Sequence, residues 1–269
     1  MDFNQICKAI REVKIQGAEN IAIASLKAYS LKPSESSIKI LTSLRPTEPT
    51  IVNALKFAKL YSVEAALEHF NHSKEKILKY SEKIIKKNNI IYTHCHSSTV
   101  NDIIKHNKNK KIKVNCTETR PLFQGRKTAI ELSKAKIPVT LYVDSAMRLA
   151  LKDSNITLLG ADSILKDGKV INKIGSELVA ETSSLYKIPL YVCTDSWKFD
   201  PKSLHGKETK IEYRPTKEIW ENPPKGLKIL NPAFEKINPK LITGISSELG
   251  VLTPEEFTDK VIKNYHWML

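Results

Sequence analysis

The sequence predicts an α/β protein: a helical N-terminal domain, residues 1–87, followed by a parallel-sheet domain, residues 88–269. Two observations carry this. Val63 to Lys87 runs without Gly or Pro, and its apolar positions Ala66, Leu67, Phe70, Ile77, Leu78, Ile84 and Ile85 recur at helical spacing. From Asn88 onward, short β-branched runs alternate with helical segments, which implies a parallel sheet with right-handed crossovers.

In order along the chain, residues 21–28 are rich in helix-compatible apolar types, and Pro33, Pro46 and Pro49 mark breaks between helices. Two polar stretches, Gln16-Gly17-Ala18-Glu19-Asn20 and Ser43-Leu44-Arg45-Pro46-Thr47, read as connections, although Arg45 could reach a phosphate. Strands are expected at Ile90–Thr93, Lys113–Cys116, Val139–Val143, Ile156–Leu159 and Leu190–Cys193. Helices are expected at Thr99–Asn107, Gln124–Lys136, Ser145–Lys152 and Ser176–Lys187. Asp167-Gly168 between two β-type runs signals a hairpin. Residues 198 to 239 carry many Pro and charged residues and read as irregular.

The composition narrows the function. The 269 residues are 41% hydrophobic, enough for a substantial core, and contain no apolar run of about 18 residues to span a membrane. The first residues lack the pattern of a signal peptide, so a cytoplasmic protein is expected. Net charge is +14, which suits nucleic acid or an anionic substrate. Much of the excess is lysine in runs such as Lys86-Lys87, without the aromatic and arginine interleaving of RNA-binding segments, and reads as solvated surface. Cys7, Cys95, Cys116 and Cys193 show no C-x-x-C spacing, which argues against a zinc ribbon or a thioredoxin motif. Neither G-x-G-x-x-G nor the P-loop pattern occurs.

The chemistry gathers at strand ends, where an α/β sheet builds its site. After the first strand comes Thr93-His94-Cys95-His96-Ser97-Ser98. Two readings stand open: a reactive thiol beside a helix start that attracts phosphate, or a small core residue with capping hydroxyls. Further strand ends carry Glu118-Thr119-Arg120-Pro121 with Gln124-Gly125, Asp144-Ser145, Gly160-Ala161-Asp162, and Asp195 with Lys198. In Gly160-Ala161 the small residues would let a ligand approach. His94-x-His96 could serve a metal hydrolase, since both rings would share one strand face. No further ligand spacing supports that, and both histidines read as hydrogen-bonded site or core residues.

Taken together, Gln16-Gly17-Ala18, Arg45-Pro46-Thr47, Thr93-His94-Cys95-His96-Ser97, Glu118-Thr119-Arg120-Pro121, Gln124-Gly125, Gly160-Ala161-Asp162, Asn172-Lys173-Ile174-Gly175 and Asn231-Pro232-Ala233-Phe234 resemble one family. It contains methylthioribose-1-phosphate isomerase, archaeal ribose-1,5-bisphosphate isomerase and the regulatory subunits of translation initiation factor 2B. The resemblance implies a Rossmann-like second domain and assembly as homodimers or dimer-built hexamers. It implies aldose–ketose isomerisation of a ribose 1-phosphate, with Cys95 and Asp162 carrying the catalysis and no metal or other cofactor. Cys95 as thiolate would move the C2 proton, its pKa lowered by the helix after Ser97 with Arg120 or Lys173. Asp162 would serve the ring or hydroxyl oxygen. Phosphate and sugar would be held by Gln16, Gly17, Ala18, Arg45, Ser97, Ser98, Arg120, Gln124, Asn172, Lys173 and Lys198. The family's isomerases tend to carry Arg where this chain has Gln16, which removes one bidentate phosphate partner. The alternative is a regulatory-type subunit that binds AMP or another nucleotide, or a sugar phosphate, contacts initiation factor 2 and catalyses nothing.

Overall fold

A computed structural model of the chain describes residues 1–12, 14–15, 17–46, 48–207, 209 and 211–269. Five helices come first: α1 (Phe3–Arg11), α2 (Ala18–Leu31), α3 (Glu35–Leu44), α4 (Pro49–Leu60) and α5 (Val63–Ile84). Their ends follow local chemistry. Asp2 and Gln5 bond each other's backbone N–H in a capping box at α1. Ser34 and Ser62 cap α3 and α5. Pro49 takes the first position of α4, where no N–H is needed. α5 buries Ala66, Phe70, Ser73, Ile77 and Ser81, the stripe that its sequence period announces.

Strands and helices then alternate: β1 (Ile90–Thr93), α6 (Ser98–His106), β2 (Lys113–Thr117), α7 (Gln124–Lys134), β3 (Val139–Tyr142), α8 (Met147–Lys152), β4 (Ile156–Leu159), β5 (Ser163–Ile164), β6 (Val170–Lys173), α9 (Ser176–Leu185), β7 (Leu190–Cys193), β8 (Phe234–Ile237), β9 (Gly244–Ser247), β10 (Gly250–Leu252) and α10 (Pro254–Asn264). The main sheet has the order β10-β9-β7-β4-β1-β2-β3. All its pairs are parallel except β10 on β9. The chain lays β1, β2 and β3 outward in one direction, then returns to place β4 on the other flank of β1. The strand order therefore reverses between β1 and β4, and the crevice beyond their carboxyl ends is where such a sheet receives ligands.

The hairpin at Asp167-Gly168 is present: Leu165 N–H donates to Lys169 O, and Gly168 takes φ 76°. It joins β5 to β6, and β8 completes a small antiparallel sheet against β6. The stretch read as irregular thus contains a strand. β8 is short, and its partner lies some sixty residues upstream in sequence, so no local pattern marks it.

One apolar core joins the helices to the sheet. Ile10, Leu26, Ile51, Leu55 and Phe70 pack with Leu159, Trp197, Phe199 and Phe257. Trp197 lies parallel to the His69 ring at 3.7 Å and meets Phe57, Phe70 and Trp267 at steeper angles. The Asn53 amide donates to the carbonyls of Trp197 and Phe199 at 2.8 and 2.9 Å, pinning α4 to the loop after β7. Among the described residues no helix is long and apolar enough to cross a membrane.

Candidate active site

β1 stops at Thr93, and two residues later Cys95 takes φ 69°, a left-handed conformation uncommon outside glycine. Two threonines hold it there. Cys95 N–H donates to Thr119 Oγ1 at 3.0 Å, and Thr128 Oγ1 donates to Cys95 O at 2.8 Å. Thr119 is itself left-handed. The Asp144 carboxylate, at the end of β3, accepts the backbone N–H groups of Thr119 and Arg120 at 2.8 and 2.7 Å. The polar end of one strand thus secures the loop after the next, and that loop secures Cys95.

This turn overturns the idea that His94 and His96 share a strand face. His94 is buried, with Nε2 donating to Ile174 O and Nδ1 beside Thr117 Oγ1, both at 2.9 Å. Burial lowers its pKa and keeps the ring neutral. His96 turns the other way and pairs with Glu131 at 2.9 Å.

A pocket of about 790 Å³ opens beyond the strand ends. Cys95 and Asp162 both line it, one following β1 and the other following β4, on either flank of the strand reversal. Three helix starts reach its wall: Gly17 and Ala18 at α2, Ser97 and Ser98 at α6, and Gln124 at α7. Helix N-termini present N–H groups and partial positive charge, so the pocket favours anions. Arg45, Lys173 and Lys198 add full cations to the wall. Lys198 is buried and donates to Ala161 O at 2.5 Å, beside Asp162. Lys173 lies over the Phe234 ring, and Asn172 donates to Ser176 Oγ at 2.9 Å. Gln16 lies outside the described residues.

Three sequence expectations need correction. Arg120 is not on the pocket wall: its guanidinium donates to Ile219 O at 3.0 Å and lies over Phe123, because Asp144 holds its backbone with the side chain turned outward. Gly160 and Ala161 line the pocket as expected, but the space where a Gly160 side chain would stand is taken by Ser97, whose Oγ would lie 2.7 Å from any added Cβ, so this glycine also admits a helix cap. Cys95 is not a resting thiolate. Burial pushes its thiol up to about 11, and the charge of Lys173 offsets only part of that. Burial also raises Asp162, against the pull of Lys198, Lys173 and Arg45.

The wall holds Asp195, noted at its strand end, and residues that the sequence reading did not select: Glu48, Lys127, Glu212 and Arg214. Glu48 was signalled, since it directly follows Arg45-Pro46-Thr47. Lys127 sits one helical turn after Gln124. Glu212 and Arg214 come from the stretch read as irregular and gave no local signal.

The model of the initiation factor 2 subunit family matches residues 30–254. The chain belongs to that family. Among curated members, it is similar to the ribose 1,5-bisphosphate isomerase of Methanocaldococcus jannaschii, with 36% identity over 96% of this chain and 94% of the relative. It is 30% identical to the methylthioribose-1-phosphate isomerase of Thermosipho melanesiensis, over 94% and 87% of the two chains. Among solved structures of the family's fold, the Pyrococcus horikoshii translation initiation factor eIF-2B superposes with a TM-score of 0.83 at 26% identity, over 94% and 97% of the chains.

Proposed function

We propose that this family member is an aldose–ketose isomerase that converts ribose 1,5-bisphosphate to ribulose 1,5-bisphosphate through Cys95 and Asp162. One observation carries the reading: a thiol and a carboxyl end the two strands that flank the sheet's reversal point, and both face one cation-lined pocket. The substrate follows the more similar set of curated relatives. The domain division at residue 88 puts Gly17, Ala18 and Arg45 on one side of the pocket and Cys95 and Asp162 on the other.

The protonation states at rest assign the roles. A thiol held near 11 begins as an acid, which leaves the part of the base to the Asp162 carboxylate, whose proton affinity burial raises. Cys95 gives its proton to the ring oxygen as the bond from that oxygen to C1 breaks. Asp162 takes the C2 proton, leaving an enol phosphate. The enol collapses to the ketone as Asp162 returns its proton to C1 and the C2 hydroxyl proton goes back to the Cys95 sulfur. Arg45, Lys173 and Lys198, with the amides at the three helix starts and the Asn172 side chain, hold phosphate and hydroxyl groups. Two acids of different environment divide the work, as a two-proton isomerisation requires.

Turnover of ribose 1,5-bisphosphate tests this directly. A thermal-shift series with ribose 1,5-bisphosphate, methylthioribose 1-phosphate and AMP identifies the ligand, since about 100 times Kd stabilises by about 2.7 kcal/mol. The match to a structure named as a translation initiation factor favours a second reading, a non-catalytic subunit that binds nucleotide and initiation factor 2. Binding of AMP or initiation factor 2 without turnover of any ribose 1-phosphate would select it. Self-association is supported by exposed Leu141 and Val143 at the β3 edge, with Leu149 on α8 and Leu178 and Leu185 on α9. Sedimentation of the purified chain would measure the dimer or hexamer. The four unpaired cysteines support a reducing compartment such as the cytoplasm.

A further inference from the structure

Glu48 stands at the start of α4 and lines the pocket, yet it is only 3% exposed. Its side chain does not cap the helix. Oε1 lies 3.6 Å from Nη2 of Arg45, too far for a close charge-assisted hydrogen bond. Among the described residues Oε2 has no partner, and neither has Nε of Arg45. A buried acceptor and a buried donor are therefore both left open beside the same cavity, and native structures rarely leave such groups unsatisfied without a reason.

The charges facing Glu48 come from several elements. Arg45 lies on its own loop, Asp162 follows β4, Lys198 follows β7, and Glu212 belongs to the later loop. The two cations favour the carboxylate and the two acids oppose it. Burial is the largest influence and raises Glu48 to about 7. Near neutral pH the side chain is therefore divided between its two forms.

An oxyanion that takes the open donors of Arg45 must approach Glu48 as well. Against the carboxylate, it meets like charge in a poorly solvated site. Against the carboxylic acid, it accepts a short O–H···O bond from the side chain. We propose that Glu48 is an anion-binding residue that must be protonated for a phosphate to occupy Arg45, so that ligand binding takes up one proton and weakens as pH rises. This rests on the pocket being a sugar-phosphate site, and it adds how that site selects its ligand.

Calorimetry with sulfate tests it, because sulfate carries no proton of its own near neutral pH. Titrations at about pH 8 in buffers of different protonation enthalpy should report close to one proton taken up per sulfate. The Kd should weaken by about tenfold per pH unit above about 7. Glu48→Gln should abolish the uptake and flatten the pH dependence, and the wild-type uptake stands as a readout even if that variant folds poorly. Sulfate that binds wild type without proton uptake overturns the role of Glu48 and leaves the phosphate site standing. Proton uptake that persists in Glu48→Gln overturns that role in the same way. Arg45→Ala that retains wild-type sulfate affinity overturns the phosphate site itself, and this proposal with it.

Discussion

Two clusters of buried ionisable side chains lie near the carboxyl ends of the strands, and they are finished to different degrees. In the first, His69 Nε2 lies 3.0 and 3.2 Å from the two Asp195 oxygens, and Ser73 Oγ is 3.2 Å from the same nitrogen. The backbone N–H of Trp197 donates to Asp195, while the backbone N–H of Ser196 and the Tyr265 O–H donate to Glu248. His69, Asp195 and Glu248 are close enough to hold a metal ion, but these bonds already occupy them. In the second cluster, among the described residues, no hydrogen bond fills Glu48 Oε2 or Arg45 Nε. A carboxylate whose hydrogen bonds are already made stabilises the folded chain alone. An unsatisfied one sacrifices stability and recovers it only when a ligand arrives.

The comparison breaks most sharply at Asp162. Asp162→Asn keeps the shape and loses proton transfer, so kcat should fall by about 10²- to 10⁴-fold at an unchanged Tm. A lower Tm with kcat preserved would move Asp162 into the class of Asp195. Cys95→Ser should cost a similar factor, and the wild-type pH profile sharpens its role. With Cys95 as the acid, kcat at saturating substrate is flat above neutral pH and falls only as the thiol ionises toward about 11. A thiolate base would instead make the rate climb about tenfold per pH unit over that range.

The finished cluster should answer in stability. His69→Ala leaves the Asp195 carboxylate buried and uncompensated, and should cost about 3 kcal/mol in urea unfolding with turnover per folded molecule kept. Its pH dependence has a definite sign. Asp195 raises the His69 pKa, though burial opposes it, so this stabilisation is complete below the unfolded value of about 6.5 and is lost as pH rises through the folded value. The lowered Asp195 pKa makes its share complete above about 4 and lost as pH falls through its folded value. The pair therefore contributes most between about pH 4 and 6.5, and that contribution should be absent in His69→Ala. The smallest effect belongs to Arg120→Ala. With its guanidinium on Ile219 O, outside the pocket, the change should leave sugar-phosphate affinity unaltered and cost at most about 1 kcal/mol.

Much of this was legible in the residues themselves. The α5 stripe, the Asp2 capping box, the Asp167-Gly168 turn and the five β-branched runs are local patterns, set by backbone period and capping chemistry within a few residues. Strand-helix alternation then requires the carboxyl ends of the parallel strands to share one edge, which is why Cys95, Asp162 and Lys198 could be gathered from sequence, while Lys173, at the end of a strand in the smaller sheet, entered only through the family resemblance. What the sequence could not decide depends on contacts between distant residues. The left-handed Cys95 is held by hydroxyls 24 and 33 residues away, and the loop carrying Lys198 is pinned by Asn53 from 144 residues away. The same distance in sequence hid the outward turn of Arg120, the β8 pairing and the burial of Glu48. Desolvation is the other hidden quantity. No residue type states how much water its side chain loses, and that loss keeps Cys95 a thiol rather than a thiolate.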